Sequence, residues 1–223
     1  MLVSSTMAKR SYKQNCALAQ ATDVIGERWS LLLVRDLLVG PKRFGELQQS
    51  LRGIGTNLLS SRLRELEAAG IIERPDGREF RHHYGLTEAG KALEAAVLSL
   101  VRWGLVYGPK NQKDYHHQDG WDLLALKALF QAKRAGDLSV RVQFKTDDFA
   151  GWMAIKNQRV RMGLGEADTA DVIVDGTIKD LFAGPESDQL RSSGSKIKLQ
   201  RFMSAFVLPE QTERAAHSIS PLE

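Results

Sequence analysis

Along the first hundred residues apolar side chains recur every three or four positions, the spacing of helices that bury one stripe. Ala17, Ala21, Val24 and Ile25 mark a first helix within residues 16–28, and Trp29, Leu32, Leu33 and Leu37 mark a second. Gly40-Pro41 ends the second, the glycine as a left-handed cap and the proline because it cannot continue the ladder. Phe44, Leu47 and Leu51 belong to a short third helix, and Gly53 and Gly55 to the turn after it. Thr56 reads as the N-cap of a fourth helix over 57–69, which Gly70 ends. Ile71-Ile72-Glu73-Arg74 then predicts a strand, Pro75-Asp76-Gly77 a tight turn, and 80–86 the returning strand of a hairpin. Thr87 caps one long helix carrying Leu93, Ala96, Val97, Leu100, Val101 and Gly104, with Trp103 near its end. That helix is apolar on more than one face, so either a partner subunit or a second domain covers the surplus.

Residues 109–120 are polar and lack apolar periodicity, and they read as a connector. Beyond them, 121–135 predicts an amphipathic helix closed by Gly136. Leu138, Val140, Val142 and Phe144 alternate with Ser139, Arg141, Gln143 and Lys145, the pattern of a half-buried strand in an antiparallel sheet. Further strands are expected at 149–155, 159–164 and 171–174, with Val160 and Met162 facing inward. Thr177 caps a short helix bearing Ile178, Leu181 and Phe182. Ile197 and Leu199 suggest a last strand, followed by a helix with Phe202, Met203 and Phe206. The expected fold class is α+β: a first domain over 1–108, a linker over 109–120 and a second domain over 121–223.

Composition narrows the function. Hydrophobic residues make up 43% and charged residues 26%, enough apolar mass for packed cores. No run approaches the ~18 apolar residues of a spanning helix. Lys9, Arg10 and Lys13 precede no apolar stretch with a cleavage site, so the expectation is a cytoplasmic protein without membrane insertion. A single cysteine, Cys16, rules out an intrachain disulfide framework and a cysteine-rich metal site. The formal charge of +4 is unevenly placed: residues 1–108 hold 15 Lys and Arg against 11 Asp and Glu, whereas residues 109–223 hold 16 against 16. The first half is therefore the candidate for a polyanionic partner.

The fourth helix carries the most information. Leu59, Leu63 and Leu66 form its buried stripe, while Asn57, Ser61, Arg64 and Ala68 lie opposite with Ser60 beside them. Taken alone, that face reads as a solvated one. Short polar side chains followed by an arginine also suit a helix that enters a major groove and reads base edges. The hairpin that follows bears Arg78 and Arg81 with His82 and His83 nearby. A helix–turn–helix followed by a basic hairpin is the order of a winged helix on double-stranded DNA, with the helix in the groove and the hairpin on the adjacent backbone. That order favours the groove reading. Lys42 and Arg43, before the third helix, add candidate phosphate contacts.

Residues from about Cys16 to Gly104 resemble the HxlR-type winged-helix transcriptional regulators, relatives of the MarR class. The resemblance rests on Cys16, Gly26-Glu27-Arg28-Trp29, Arg43-Phe44-Gly45-Glu46-Leu47, Leu63-Arg64-Glu65-Leu66-Glu67, Gly70-Ile71-Ile72-Glu73-Arg74 and Tyr84-Gly85-Leu86-Thr87-Glu88-Ala89-Gly90. The wing departs from the family pattern, with Glu79-Phe80-Arg81-His82-His83 where prolines often precede the tyrosine. The resemblance implies a DNA-binding homodimer paired through its first and last helices. The expected contacts are Lys42, Arg43, Thr56, Asn57, Ser60, Ser61, Arg64, Arg78, Arg81 and His82. The second half, over roughly 121–208, is similar in pattern to the sterol-carrier-protein-like fold, although Leu199-Gln200 stands where related domains often carry glycine and a polar residue. That likeness implies a lipid or other apolar ligand between sheet and helices. Phe144, Trp152, Met162, Phe182, Phe202 and Met203 would line the site, unless they simply fill the core.

Cys16 lies at a helix start near Lys13 and Arg10, where a thiolate is favoured and oxidants can reach it; the other reading is a small buried hydrophobe. Some members of the resembled family use a cysteine there to sense oxidants. His82-His83, His116-His117 and His217 lack an evident set of further ligands, so no metal and no cofactor are expected. No phosphate-cradling glycine loop, nucleophile elbow or zinc-binding helix motif is present, so an enzyme is not expected. The expected function is sequence-specific transcriptional regulation on a palindromic operator. The alternative is a lipid or apolar-ligand carrier whose winged helix serves protein interaction.

Overall fold

The computed structural model describes residues 11–77, 80–109, 115–182 and 191–207, apart from the side chains of Lys179 and Phe182. The first half runs α1 (Ala17–Ile25), α2 (Ser30–Val39), β1 (Lys42–Arg43), α3 (Phe44–Ser50), α4 (Thr56–Ala68), β2 (Ile72–Glu73), β3 (His83–Leu86), α5 (Glu88–Ala92) and α6 (Glu94–Tyr107). The predicted stripes converge: Leu33 and Val34 of α2, Leu47 of α3, and Leu59, Leu63 and Leu66 of α4 are sealed in one core with Ile72, Tyr84 and Leu86 of the hairpin. The sheet order is β1-β3-β2, antiparallel throughout, with Lys42 opposite Tyr84 and Ile72 opposite Leu86.

Two expectations in this half are corrected. Gly55 is the N-cap of α4, and Thr56 is its first helical residue. Thr87 does cap the next helix, accepting from the Gly90 N–H at 3.1 Å, but one long helix becomes two, α5 and α6. Gly90 seats α5 against the hairpin so closely that a Cβ there would lie 2.1 Å from the Ile71 carbonyl oxygen. With α5 fixed in that way, the chain tightens at Leu93, whose N–H returns to Gly90 O at 3.1 Å, and α6 leaves on its own axis to pack on α2 and α7.

The second half comprises α7 (Asp119–Leu129), α8 (Ala132–Ala135), β4 (Val140–Lys145), β5 (Ala150–Lys156), β6 (Arg159–Leu164), β7 (Val172–Asp175), α9 (Ile178–Phe182), β8 (Arg191–Gly194) and α10 (Lys196–Ser204). The strand order is β6-β5-β4-β7-β8. The β4–β7 pair is parallel, so the sheet is mixed rather than antiparallel as expected. Val140, Val142, Phe144, Met153, Ile155, Val172 and Val174 form the sheet's buried contribution to a core shared with Leu123, Leu126, Phe202 and Phe206 from the helices.

Three further expectations are corrected here. The helix over 121–135 is interrupted after Leu129, because Phe130 turns extended and Gln131 N–H bonds to Ala205 O at 2.8 Å. Ile197 and Leu199 lie in α10, started by Ser195, whose side chain accepts from Lys198 N–H. The last strand is the polar segment 191–194, invisible to a search for apolar alternation because all four of its residues are exposed.

α7 joins the two halves. Leu123, Leu126 and Leu129 enter the second core, and Leu124 enters the first. Arg102 of α6 donates from Nε and Nη2 to the Ala128 carbonyl at 3.0 and 2.7 Å, satisfying an acceptor at the end of α7. Lys127 and Glu94 pair across the same seam. At the other end lies Asp36 of α2, with 0% exposure. Its carboxylate accepts from Ser50 Oγ, from the Trp121 indole N–H at 2.7 Å and from Arg35 Nε at 3.1 Å. The Arg35 guanidinium stacks 3.9 Å from the Trp121 ring centroid. Burial pulls the Arg35 pKa below its ordinary value, and the Asp36 charge opposes that shift. Removing one partner of a buried charged pair leaves the other uncompensated. Asp36→Ala should therefore lower unfolding free energy by about 3 kcal/mol, read as a reduced urea midpoint of the full chain, whereas Ser50→Ala should cost about 1 kcal/mol.

Candidate nucleic-acid interface

The α3–turn–α4 unit is set by a glycine whose backbone requires one: Gly53 has φ of +93°. Beyond that turn, α4 buries Leu59, Leu63 and Leu66 and leaves Thr56, Asn57, Arg64 and Ala68 exposed. Ser60 and Ser61 are half-buried along the same side. Ser61 Oγ donates to Glu65 Oε1 at 2.8 Å, and Arg64 Nε rests on the Ser60 carbonyl at 3.3 Å. The exposed face thus offers hydroxyl, amide and guanidinium groups within two helical turns.

Lys42 and Arg43 are joined to the wing by strand pairing. Arg43 faces His83 across the β1–β3 ladder, and its N–H donates to Glu46 Oε2 at 2.5 Å at the start of α3. Arg81 and His82 are exposed immediately before β3, with His82 held at φ +70°. The fold therefore brings Lys42, Arg43, Arg81 and His82 to one end of the small sheet, and Asn57 and Arg64 to one helix face. Arg78 lies outside the described residues.

Two arginines escaped the sequence reading. Arg62 pairs with Glu65 and, at 2.9 Å, with Glu27, and its Nε donates to the Arg28 carbonyl at 3.3 Å. It ties α4 to the turn between α1 and α2 and so fixes the helix's orientation. The Arg62/Glu65 spacing of three was the available signal. Arg74, at the wing's base, stacks 4.6 Å from the Tyr84 ring centroid and donates to its hydroxyl at 3.0 Å.

The apolar candidates of the second half do not form one lining. Phe144 and Phe202 are sealed in the core, their ring centroids 6.2 Å apart, and Met162 and Met203 pack at its margin. Trp152 pairs in register with Gln143 and Gly163, which places it on the opposite sheet face from Phe144, beneath the Arg141 guanidinium at 5.6 Å. The Phe182 side chain lies outside the described residues. A cleft of about 460 Å³ opens in the first half between α2, the wing and α5, lined among others by Leu37, Leu38, Pro75, Leu86, Lys91 and Glu94. Cys16 is exposed at the N-cap of α1, so the buried reading does not hold. The backbone N–H groups of Ala19 and Leu18 favour its thiolate and lower its pKa.

A helix–turn–helix whose second helix presents a polar, cationic face beside a two-stranded wing defines the winged helix-turn-helix class. The model of the HxlR-like helix-turn-helix family matches residues 24–112. HTH-type transcriptional regulator Rv3095 of Mycobacterium tuberculosis is 41% identical over 110 residues, covering 47% of this chain and 69% of that protein. HTH-type transcriptional regulator YybR of Bacillus subtilis is 37% identical over 94 residues, covering 41% of this chain and 75% of that protein. A solved structure of the reduced form of the transcriptional regulator YodB from B. subtilis is 32% identical, covering 44% of this chain and 100% of that one, with a TM-score of 0.37. The chain belongs to the HxlR-like helix-turn-helix family.

Because Cys16 is the sole cysteine, its reactivity can be read without interference. A lowered pKa means more thiolate at a given pH, so iodoacetamide labelling of the folded chain should reach half its maximal rate at a lower pH than labelling of the same chain unfolded in urea.

Proposed function

We propose that this protein is a homodimeric, sequence-specific DNA-binding transcriptional regulator. The observation that carries the reading is the α4 face, with Asn57 and Arg64 exposed and Ser60 and Ser61 beside them, above a leucine stripe committed to the core. In this reading Thr56, Asn57, Ser60, Ser61 and Arg64 address the major groove. Lys42 and Arg43 hold phosphates, as do Arg78, Arg81 and His82 from the wing. The family membership supports the same assignment.

Exposed apolar surface supports the dimer. Leu18 near the start of α1 is 74% exposed, and Leu100, Trp103 and Tyr107 of α6 are 53%, 60% and 71% exposed. A second copy would cover such a surface. Two-fold symmetry then matches a palindromic operator with half-sites about 34 Å apart. Cys16 is read as the redox-responsive position, supported by its exposure and lowered pKa. The second half is read as a sterol-carrier-protein-like domain for an apolar effector. Its support is a sheet covered by helices on the face that carries Phe144 and Met153. The setting is cytoplasmic in this reading. Among the described residues no helix is long and apolar enough to cross a membrane.

Mobility-shift titrations on DNA upstream of the protein's own gene, at two salt concentrations, test the reading. Binding should weaken steeply with salt. Arg81→Ala should reduce affinity for all sequences and shallow the logarithmic salt slope by about one. Asn57→Ala or Arg64→Ala should instead change which sequence is preferred, each costing about 1–3 kcal/mol at the cognate site. Tight binding of a lipid with no salt-dependent DNA binding would establish the carrier in place of the regulator.

A further inference from the structure

We propose that His117, Asp119 and Asp122 form a binding site for one first-row divalent metal ion at the junction of the two halves. One ligand atom from each, an imidazole nitrogen and two carboxylate oxygens, lie within 4.8 Å of one another. His117 Nε2 is 3.1 Å from Asp122 Oδ2 and 3.8 Å from Asp119 Oδ1. The 3.1 and 3.8 Å separations fit an ion bound at ~2.0–2.2 Å from each donor, and three protein ligands leave further positions for solvent.

The geometry comes from the start of α7. Asp119 and Asp122 are three residues apart in its first turn and share a face, and His117, just before the N-cap Gln118, folds back over them. The imidazole is backed by an anchored surface: His117 packs edge-on to Trp121, ring centroids 6.3 Å apart at 87°. Trp121 is in turn held by its N–H bond to Asp36 and by the Arg35 stack. The ligands are therefore arranged on a braced helix start rather than on a free loop. Charge is complementary too. Two carboxylates converge beside one imidazole, and a divalent ion balances their charge. Their mixed N and O character suits zinc, manganese, iron or cobalt better than a soft monovalent ion. The pattern His-x-Asp-x-x-Asp is local in sequence, but the turn that folds His117 back over the helix is needed to see it.

The test is a Co(II) titration of the untagged full chain, followed by visible d–d absorption and by Zn(II) competition. The expected result is one saturable site, displaced by Zn(II), with affinity reduced about tenfold or more in His117→Ala and in Asp122→Asn. His116→Ala, which removes the neighbouring imidazole outside the set, should leave the titration unchanged, and circular dichroism should show that all three variants stay folded. Absence of saturable binding in the unaltered chain overturns the proposal. So does a titration that survives His117→Ala or is lost equally in His116→Ala.

Discussion

A carboxylate with no access to water must be satisfied by the protein alone, and Asp36 is in that position. Its donors come from three elements: Arg35 on its own helix, Ser50 at the end of α3, and Trp121 on the first turn of α7. Because none of these bonds can be exchanged for solvent, the three elements are held in one relative arrangement. α3 is thereby positioned for the turn into α4, and α7 is docked on the DNA-binding half. Leu124 completes the dock, entering the core that also holds Leu33 and Leu63. The polar knot and Leu124 thus act together with the Arg102–Ala128 and Lys127–Glu94 contacts to hold the halves in one arrangement. Packing area alone would not specify the angle so narrowly, because apolar contact is non-directional.

The orientation of α4 follows from a second, more exposed set of ties. Arg62 reaches both Glu27 and the Arg28 carbonyl, so the helix is linked to the α1–α2 turn from its inner edge while its outer face keeps Asn57 and Arg64 accessible. Individually such surface bonds are weak. Their value lies in limiting rotation of the helix about its own axis, which keeps its polar side outward. The wing is fixed by pairing, with β3 joined on one edge to β1 and on the other to β2. Residues separated by some forty positions in sequence, such as Arg43 and His83, are thereby neighbours.

Much of the first half was legible because its helices are amphipathic and its stops are glycines and prolines. The stripe of Leu59, Leu63 and Leu66 located both the core and the outward face. What escaped has physical causes. The break at Leu93 depends on how closely Gly90 approaches Ile71, a contact invisible to periodicity. The β8 strand carries Arg191-Ser192-Ser193-Gly194 and is defined by its pairing with β7, since no apolar alternation marks it. Gln143 fell on the polar face of β4 as expected, yet it is buried, because its amide is used up by the Gly151 and Gly165 carbonyls and the Ala167 N–H. Of the candidate site, the helix face could be read from spacing. The roles of Arg62 and Asp36 could not, because each acts through partners distant in sequence.

The double allegiance of α7 bears on how the chain comes into being. A nascent polypeptide that has emerged only through α6 lacks the leucine that fills its first core and the indole that satisfies Asp36. That half reaches its full set of buried contacts only once the next helix has been made. For the same reason a chimera made by exchanging second halves cannot be cut in the polar stretch after α6, where the composition changes. A cut beyond Leu129 is no better, because it takes Leu123, Leu126 and Leu129 from the second core, so the halves share a helix that neither can give up.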